Sequence, residues 1–254
     1  MSHVVALARR ELATYFLNPM AFLVLLAFQV IAWLNFWDLV DGLARSGRTY
    51  SGVRDPLNNY ITGSTPFWIG MLVAIPALTM RLLAEERRAG TIEPLLTAPV
   101  SEGEVVVAKW LAGVGMYLVL LLPFAFYLPF LYYQAKYHFD LGPLLTLGLG
   151  LTTLGMMFVA IGLFFSALTR NQIVAAIWTF AALFLLVLMT TVLANYAASR
   201  RSGWAETIQF VSVLNQMATF GTGRLDLRFL ALHLSASALM LYLTTKVLQF
   251  RREG

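Results

Sequence analysis

Six separate stretches of apolar residues constrain the fold of this chain more than any other feature. They cover residues 20–39, 66–83, 110–133, 143–168, 172–193 and 229–248, and we call them spans one to six. A helix of about 20 residues, rising about 1.5 Å per residue, crosses the roughly 30 Å hydrocarbon core of a bilayer. The pattern therefore predicts an all-α membrane protein with six transmembrane helices.

The composition supports this prediction, since 59 % of the 254 residues are hydrophobic and only 12 % are charged. Soluble proteins carry about twice that charged fraction, and a soluble fold would have too few polar residues here to cover its surface. These values disfavour a soluble enzyme, a disordered chain and a free nucleic-acid binder. The connections between spans are short, so residues 1–254 are predicted to form a single transmembrane domain.

The segment before span one has the pattern of a short amphipathic helix. Its apolar residues fall broadly on one helical face and its charged residues largely on another. The apolar set is Val4, Val5, Leu7, Ala8, Leu12, Tyr15 and Phe16, and the charged set is Arg9, Arg10 and Glu11. Pro19 then interrupts the helix after Asn18. Residues 1–19 are therefore predicted to lie along the membrane interface.

The distribution of basic residues orients the spans. With a cytoplasmic N-terminus, ten Lys and Arg lie on the cytoplasmic side and eight on the other side, mainly in the two longer loops. Positive charge in short loops favours the cytoplasmic side, and long loops constrain orientation less. We therefore expect both termini to be cytoplasmic.

Prolines and glycines inside the spans predict kinks and close helix contacts. Spans two and three contain prolines, each of which removes a backbone donor. Span four contains small residues that let helices approach closely. The prolines are Pro76, Pro123 and Pro129, and the glycines are Gly148, Gly150, Gly155 and Gly162.

Ionisable residues are scarce inside the spans. His233, close to the start of span six, fits a neutral inter-helix or interfacial histidine better than a proton relay. No Asp, Glu, Lys or Arg lies deep in a span, although carriers driven by protons or sodium usually need one. The sequence therefore disfavours, without excluding, an ion-coupled secondary transporter.

The polar segment between spans two and three has the signals of ordered structure. Span two is predicted to continue as a helix to about Ala89, with Gly90 as its stop. Thr91 is placed to begin a second short helix. Ser101 and Glu104 fit a capping box that starts the helix of span three.

This polar segment resembles the signature loop of type-2 ABC transporter permeases. The resemblance is strongest to the permease of the gliding-motility-associated group. The residues that carry it are Glu85-Glu86-Arg87-Arg88-Ala89-Gly90-Thr91-Ile92-Glu93, Leu95 to Ser101, Lys109, Arg10-Glu11-Leu12, Phe16, Asn18-Pro19, Pro76 to Arg81, Leu168 to Ala175 and Gly223 to Arg228.

The resemblance implies a six-helix permease half of the bacterial cytoplasmic membrane, paired with a second copy or a homologue. In that family a coupling helix in this loop docks into a cytoplasmic ATPase. The docking residues implied here are Glu85, Glu86, Arg87, Arg88, Gly90, Thr91 and Glu93. The resemblance also implies export or cell-surface assembly, with an auxiliary subunit that carries an extracytoplasmic domain.

The chain has no P-loop motif, no Gly-Lys pair and no cysteine. It therefore cannot hold nucleotide phosphates through a P-loop, and ATP and Mg are expected on a partner ATPase. His3, His138 and His233 have no zinc-site spacing. We expect no catalytic residues, metal or cofactor in this chain, and its substrate site is unknown.

The two longer loops leave other interpretations open. Residues 41–65 are predicted to be irregular. In the segment 194–228, Trp204, Ile208, Val211 and Leu214 recur at helical spacing, which predicts one helix at the outer interface. That helix fits an outer gate, a contact for a partner or a simple interfacial cap. A non-transporting membrane scaffold for an extracytoplasmic partner therefore also remains an alternative.

Overall fold

The computed structural model describes residues 2–45, 61–90, 101–135, 141–200 and 203–253. These residues form eleven α-helices and one π-helical turn. The helices are α1 (Ser2–Phe16), α2 (Pro19–Arg45), α3 (Thr65–Thr79), α4 (Ala84–Ala89), α5 (Glu102–Ala135), α6 (Leu141–Leu168), α7 (Gln172–Phe184), the π turn (Leu185–Met189), α8 (Thr190–Ser199), α9 (Ala205–Val211), α10 (Val213–Gly221) and α11 (Leu227–Glu253). The short helix predicted at Thr91 lies outside the described residues.

The prediction of six membrane-spanning helices is confirmed. Their bounds are Pro19–Asp41, Thr65–Arg88, Glu102–Tyr127, Gly142–Leu168, Gln172–Ser199 and Leu227–Phe250. The chain changes direction after each span, so α1 and α4 lie at one end of the bundle, which we call the α1 end. Helices α9 and α10 connect spans five and six at the other end, the α10 end.

Spans two, three and four form the centre of the bundle. In the apolar 18-residue stretches of these spans, 72, 56 and 67 % of the residues are buried. The corresponding shares in spans one, five and six are 28, 22 and 22 %. Helix α6 packs most extensively against α11, and α1 packs along α5. The outer spans therefore leave wide apolar faces for lipid or for other membrane helices.

Glycines in span four permit this close packing, as predicted. A Cβ on Gly155 would lie 1.9 Å from the ring of Tyr117, and one on Gly150 would lie 2.5 Å from the ring of Phe220. At Gly162 a Cβ would lie 2.2 Å from Oγ1 of Thr79. Gly148 differs, because a Cβ there would meet nothing within 4 Å.

The loop predictions need two corrections. Helix α2 continues to Arg45, so the first five residues of the loop predicted to be irregular are helical, and 46–60 lie outside the described residues. The single helix predicted from Trp204 to Leu214 is two helices, because Ser212 is extended with ψ 115°. Helix α9 buries no residue, whereas α10, which follows the break, buries Val213, Gln216, Met217, Phe220 and Gly221. Helical spacing alone could not detect the break.

Candidate functional site

A polar cleft at the α1 end gathers most of the charged motifs. Its volume is about 480 Å³, and it lies between α1, the start of α2, the end of span two and α5. The ionisable residues that line it are Arg10, Glu11, Tyr15, Arg81, Glu85, Glu86 and Lys109. We call it the α1 cleft.

Lys109 is the buried centre of the α1 cleft, with a side chain that is 1 % exposed. Its Nζ lies 2.7 Å from Oε1 of Glu86 and 3.1 Å from Oε1 of Glu11. A buried ammonium costs several kcal/mol of desolvation unless it is paired. The two carboxylates supply that pairing, and one cation thereby joins α1, α4 and the start of span three.

Helix α1 lies against the protein through a face that includes Glu11. Residues Leu12 and Tyr15 are half-buried beside it, whereas Val5 and Phe16 are exposed. Glu11, which the sequence pattern groups with Arg9 and Arg10 on the charged face, therefore lies on the side that contacts the protein, because pairing with Lys109 offsets its burial. The predicted end of the helix at Asn18 is confirmed, and Oδ1 of Asn18 accepts a hydrogen bond from Met20 N.

The hydroxyl of Tyr15 fixes α1 to span two. It donates a hydrogen bond of 2.8 Å to the carbonyl oxygen of Leu78. Burial, with the nearby Glu11 carboxylate as a smaller cause, raises the pKa of Tyr15 above its usual value. The phenol therefore stays neutral and remains a donor throughout the physiological pH range.

Helix α4 has a charge order that suits a short helix. Glu85 and Glu86 stand in its first turn and Arg87 and Arg88 in its last, which matches the positive and negative ends of the helix dipole. Gly90 ends the helix with φ 70°, and its N–H donates to the carbonyl of Glu86. The prediction that Gly90 is the helix stop is confirmed.

Span two is not continuous to Ala89, which corrects the prediction. Helix α3 runs through Pro76 and ends at Thr79, and α4 begins at Ala84. The hydroxyl of Ser166, from the end of span four, accepts hydrogen bonds of 3.0 Å from the N–H groups of Leu83 and Ala84. It donates to the carbonyl of Met80 at 3.0 Å. The Ser166 hydroxyl therefore takes the place of a backbone hydrogen-bond partner between Met80 and Ala84, and the helix is interrupted at these residues.

The remaining charges of α4 also have defined positions. Glu85 forms a bidentate pair with Arg81, at 2.7 and 2.8 Å. Arg87 donates to the carbonyl of Ala167 at the end of span four. Arg88 and Gly90 are exposed. Of the predicted docking residues, Glu85, Glu86 and Arg87 therefore form internal contacts, and Arg88 and Gly90 lie on the surface. Thr91 and Glu93 lie outside the described residues.

The helix of span three begins as predicted. The hydroxyl of Ser101 accepts from Glu104 N at 3.3 Å, and Oε2 of Glu104 accepts from Ser101 N at 3.0 Å. This reciprocal pair is a capping box. It fixes the start of the helix that carries Lys109.

Sequence reasoning did not identify Ser166 as a site residue. A serine at the end of an apolar span carries no signal of its own, and its partners lie more than 80 positions away. Glu11 and Lys109 were present in the motifs, but their pairing depends on how α1 packs along α5. Among the described residues, no group of three His, Asp or Glu could hold a metal ion.

A second polar cluster lies at the α10 end. Nδ1 of His233 lies 3.0 Å from Oγ1 of Thr153, and Nε2 lies 2.9 Å from Oε1 of Gln216. The amide nitrogen of Gln216 donates to the carbonyl of Phe210 at 2.7 Å. His233 is fully buried, so the prediction of an inter-helix histidine is confirmed. It joins span six to span four and to α10.

The comparisons with known proteins agree with this architecture. The model of the ABC-2 family transporter protein matches residues 44–246, about four fifths of the chain. No curated protein matches the sequence. The matched region contains spans two to five, the α1-cleft residues of α4 and α5, and most of span six. The chain therefore belongs to the ABC-2 transporter family, and it is a multi-pass membrane permease component of an ABC transporter.

Proposed function

We propose that this permease is driven by a separate cytoplasmic ATPase that docks at the α1 end. The supporting observation is the contact of Lys109 with both Glu11 and Glu86. Through this contact, a displacement of α4 by the ATPase moves α1 and the start of span three as well. ATP and Mg belong to the partner, and the permease supplies the moving helices.

The docking surface begins at the exposed end of α4. Arg88 and Gly90 face outward, and Thr91 and Glu93 follow directly in the sequence. Glu85, Glu86 and Arg87 contact Arg81, Lys109 and Ala167, and in this proposal they hold the docking segment against the bundle. The docking set therefore divides into residues that meet the ATPase and residues that position them.

The α1 end is cytoplasmic in this proposal, and both termini lie on that side. The two positives of α1, four in the segment from Arg81 to Lys109, and Arg170 all belong to this end. The exposed apolar faces of spans one and five suit pairing with a second permease copy or a homologue. By analogy with the gliding-motility group, the complex exports material or assembles it at the cell surface, with an auxiliary extracytoplasmic subunit.

The test is co-purification from native membranes in mild detergent. We expect an ATPase subunit to accompany the wild-type chain, and Arg88→Glu to abolish its recovery, because charge reversal opposes the docking contact. Arg224→Glu is the matched control, since Arg224 is exposed at the α10 end. The proposal fails if no ATPase co-purifies, or if Arg88→Glu and Arg224→Glu retain it equally.

A transport assay separates this proposal from ion-coupled transport. Vesicles that contain the complex should transport only when ATP is supplied to the α1 side. Transport that follows a proton gradient without ATP would support the secondary transporter instead.

A further inference from the structure

A second polar cleft opens at the α10 end of the molecule. Its volume is about 830 Å³, and it lies between the end of span five, α9, α10 and the start of span six. We call it the α10 cleft. It shares no lining residue with the α1 cleft. It is therefore separate from the proposed ATPase contact, at the opposite end of the spans.

Helix α10 supplies a fixed wall for this cleft. Its inner face carries Gln216, Met217 and Phe220, which are buried, and Gln216 is bonded to His233. Asn215, on another face of the helix, lines the cleft. The buried contacts hold α10 in place, so the cleft side chains project from a positioned element.

The lining is rich in neutral groups that both donate and accept hydrogen bonds. Three carboxamides contribute, one each from span five, α9 and α10: Asn195, Gln209 and Asn215. A carboxamide has two donor hydrogens and an acceptor oxygen, and a sugar hydroxyl likewise donates and accepts. Thr207 adds a hydroxyl to the same lining. These groups from three elements match a ligand with many hydroxyls.

The charges of the cleft disfavour an anionic ligand. Arg228 is the single base among the described residues that line it. Its guanidinium is held by Asp226, with Nη2 to Oδ2 at 2.7 Å and Nε to Oδ1 at 3.1 Å. This pair lowers the pKa of Asp226, so the carboxylate stays charged and continues to neutralise Arg228. Glu206 adds a negative charge, which repels phosphate and carboxylate groups.

An apolar surface forms another part of the cleft. The rings of Phe210 and Phe229 are 5.1 Å apart and inclined by 35°. Both residues line the cleft. Pyranose rings combine hydroxyl edges with apolar C–H faces, so a lining of amides beside aromatic carbon suits them.

We propose that the α10 cleft binds an uncharged, hydroxyl-rich ligand, a sugar chain that is either free or the headgroup of a glycolipid. The juxtaposition of Asn195, Gln209 and Asn215 around a cleft whose arginine is already neutralised carries the proposal. It goes beyond the proposed function, because binding here needs neither ATP nor a docked ATPase.

The experiment measures sugar binding by the purified full chain. One arm titrates labelled maltohexaose against the protein in phosphatidylcholine nanodiscs. A second arm titrates diglucosyl diacylglycerol and phosphatidylglycerol against the protein in detergent, with bound lipid measured by native mass spectrometry. We expect saturable binding of the free sugar or of the glycolipid, and weaker binding of phosphatidylglycerol.

The variant Asn195→Ala/Asn215→Ala should lower the affinity for the bound sugar at least tenfold. Gln172→Ala is the matched control, because it removes an amide at the other end of span five and should change affinity less than twofold. Thermal unfolding of each variant verifies that the fold is kept, and Gln209→Ala provides a second test if the double variant does not fold.

The outcomes separate the two sources and can overturn the proposal. Binding of maltohexaose identifies a free sugar chain, and binding of the glycolipid alone identifies a lipid headgroup. The proposal is overturned if neither ligand binds, if phosphatidylglycerol binds as tightly as the glycolipid, or if the amide variants bind like wild type.

Discussion

Nζ of Lys109 lies 2.7 Å from Oε1 of Glu86, although the two residues are 23 positions apart in the sequence. Glu11 approaches the same ammonium at 3.1 Å from a third helix. The ends of three helices are therefore fastened at one buried charge. This arrangement makes the α1 end a mechanical unit, and it can be tested by removing the charge.

Replacing the ammonium should destabilise the protein. Lys109→Met leaves two partly buried carboxylates facing each other without a cation, which costs about 3 kcal/mol. Thermal unfolding in detergent measures the effect. Lys246→Met is the control, because Lys246 is exposed and should change stability by less than about 0.5 kcal/mol. Equal unfolding temperatures for Lys109→Met and wild type would contradict the buried pairing.

Ser166→Ala should weaken the join between span four and α4. The hydroxyl accepts two backbone N–H groups and donates to one carbonyl, so its removal leaves buried backbone groups unsatisfied at a cost of about 1–3 kcal/mol. Hydrogen exchange at the amides of Leu83 and Ala84 should rise. Ser235→Ala, which removes an exposed hydroxyl, should leave both stability and exchange unchanged. If Ser166→Ala changed neither stability nor exchange, the hydroxyl would not be what stabilises the join between span four and α4.

Two glycines of span four should respond in opposite ways to the same substitution. Gly155→Ala places a methyl group against Tyr117 and should destabilise by about 1–3 kcal/mol. Gly148→Ala has open space and should be neutral or stabilising by up to about 1 kcal/mol, since alanine favours a helix. Denaturation curves of the two variants decide the matter, and similar losses in both would refute the packing described for Gly155.

His233→Leu should loosen α10 while keeping the side-chain volume similar. Gln216 and Thr153 lose their shared partner, so we expect a loss of about 1–3 kcal/mol. Hydrogen–deuterium exchange should increase in residues 213–221 but not in α1. Unchanged exchange across α10 would mean that its apolar contacts hold it without the histidine.

The spans and the helix ends were predictable because their causes are local. Six apolar stretches require six helices in lipid, and Gly90 and the Ser101–Glu104 pair end or start helices through contacts within four residues. These signals depend on backbone geometry and neighbouring side chains alone. They could therefore be found without knowing how the helices pack.

The residues missed in the α1 cleft act through long-range contacts. Nothing in the local sequence distinguishes Ser166 from other serines in apolar segments, because its role depends on the packing of span four against the end of span two. The sequence pattern placed Glu11 with Arg9 and Arg10 on the charged face of α1, and its contact with the protein follows only from the position of Lys109. The docking role of Arg88, Thr91 and Glu93 remains a prediction, since it depends on a second protein.

The π turn in span five affects which residues of that span face the protein. Buried residues in its first half are four positions apart, at Ala175, Thr179, Leu183 and Val187, and each such step rotates about 40° around an α-helix. A π turn contains about one more residue than an α-helical turn, so each of its residues rotates the chain around the helix axis by a smaller angle. Ala194 and Ala197, in the outer half of the span, are also buried, so the protein-facing side is kept beyond the π turn. Deleting one residue from Leu185–Met189 would remove the residue that the π turn accommodates, so this turn should become α-helical while Ala194 and Ala197 still face the protein.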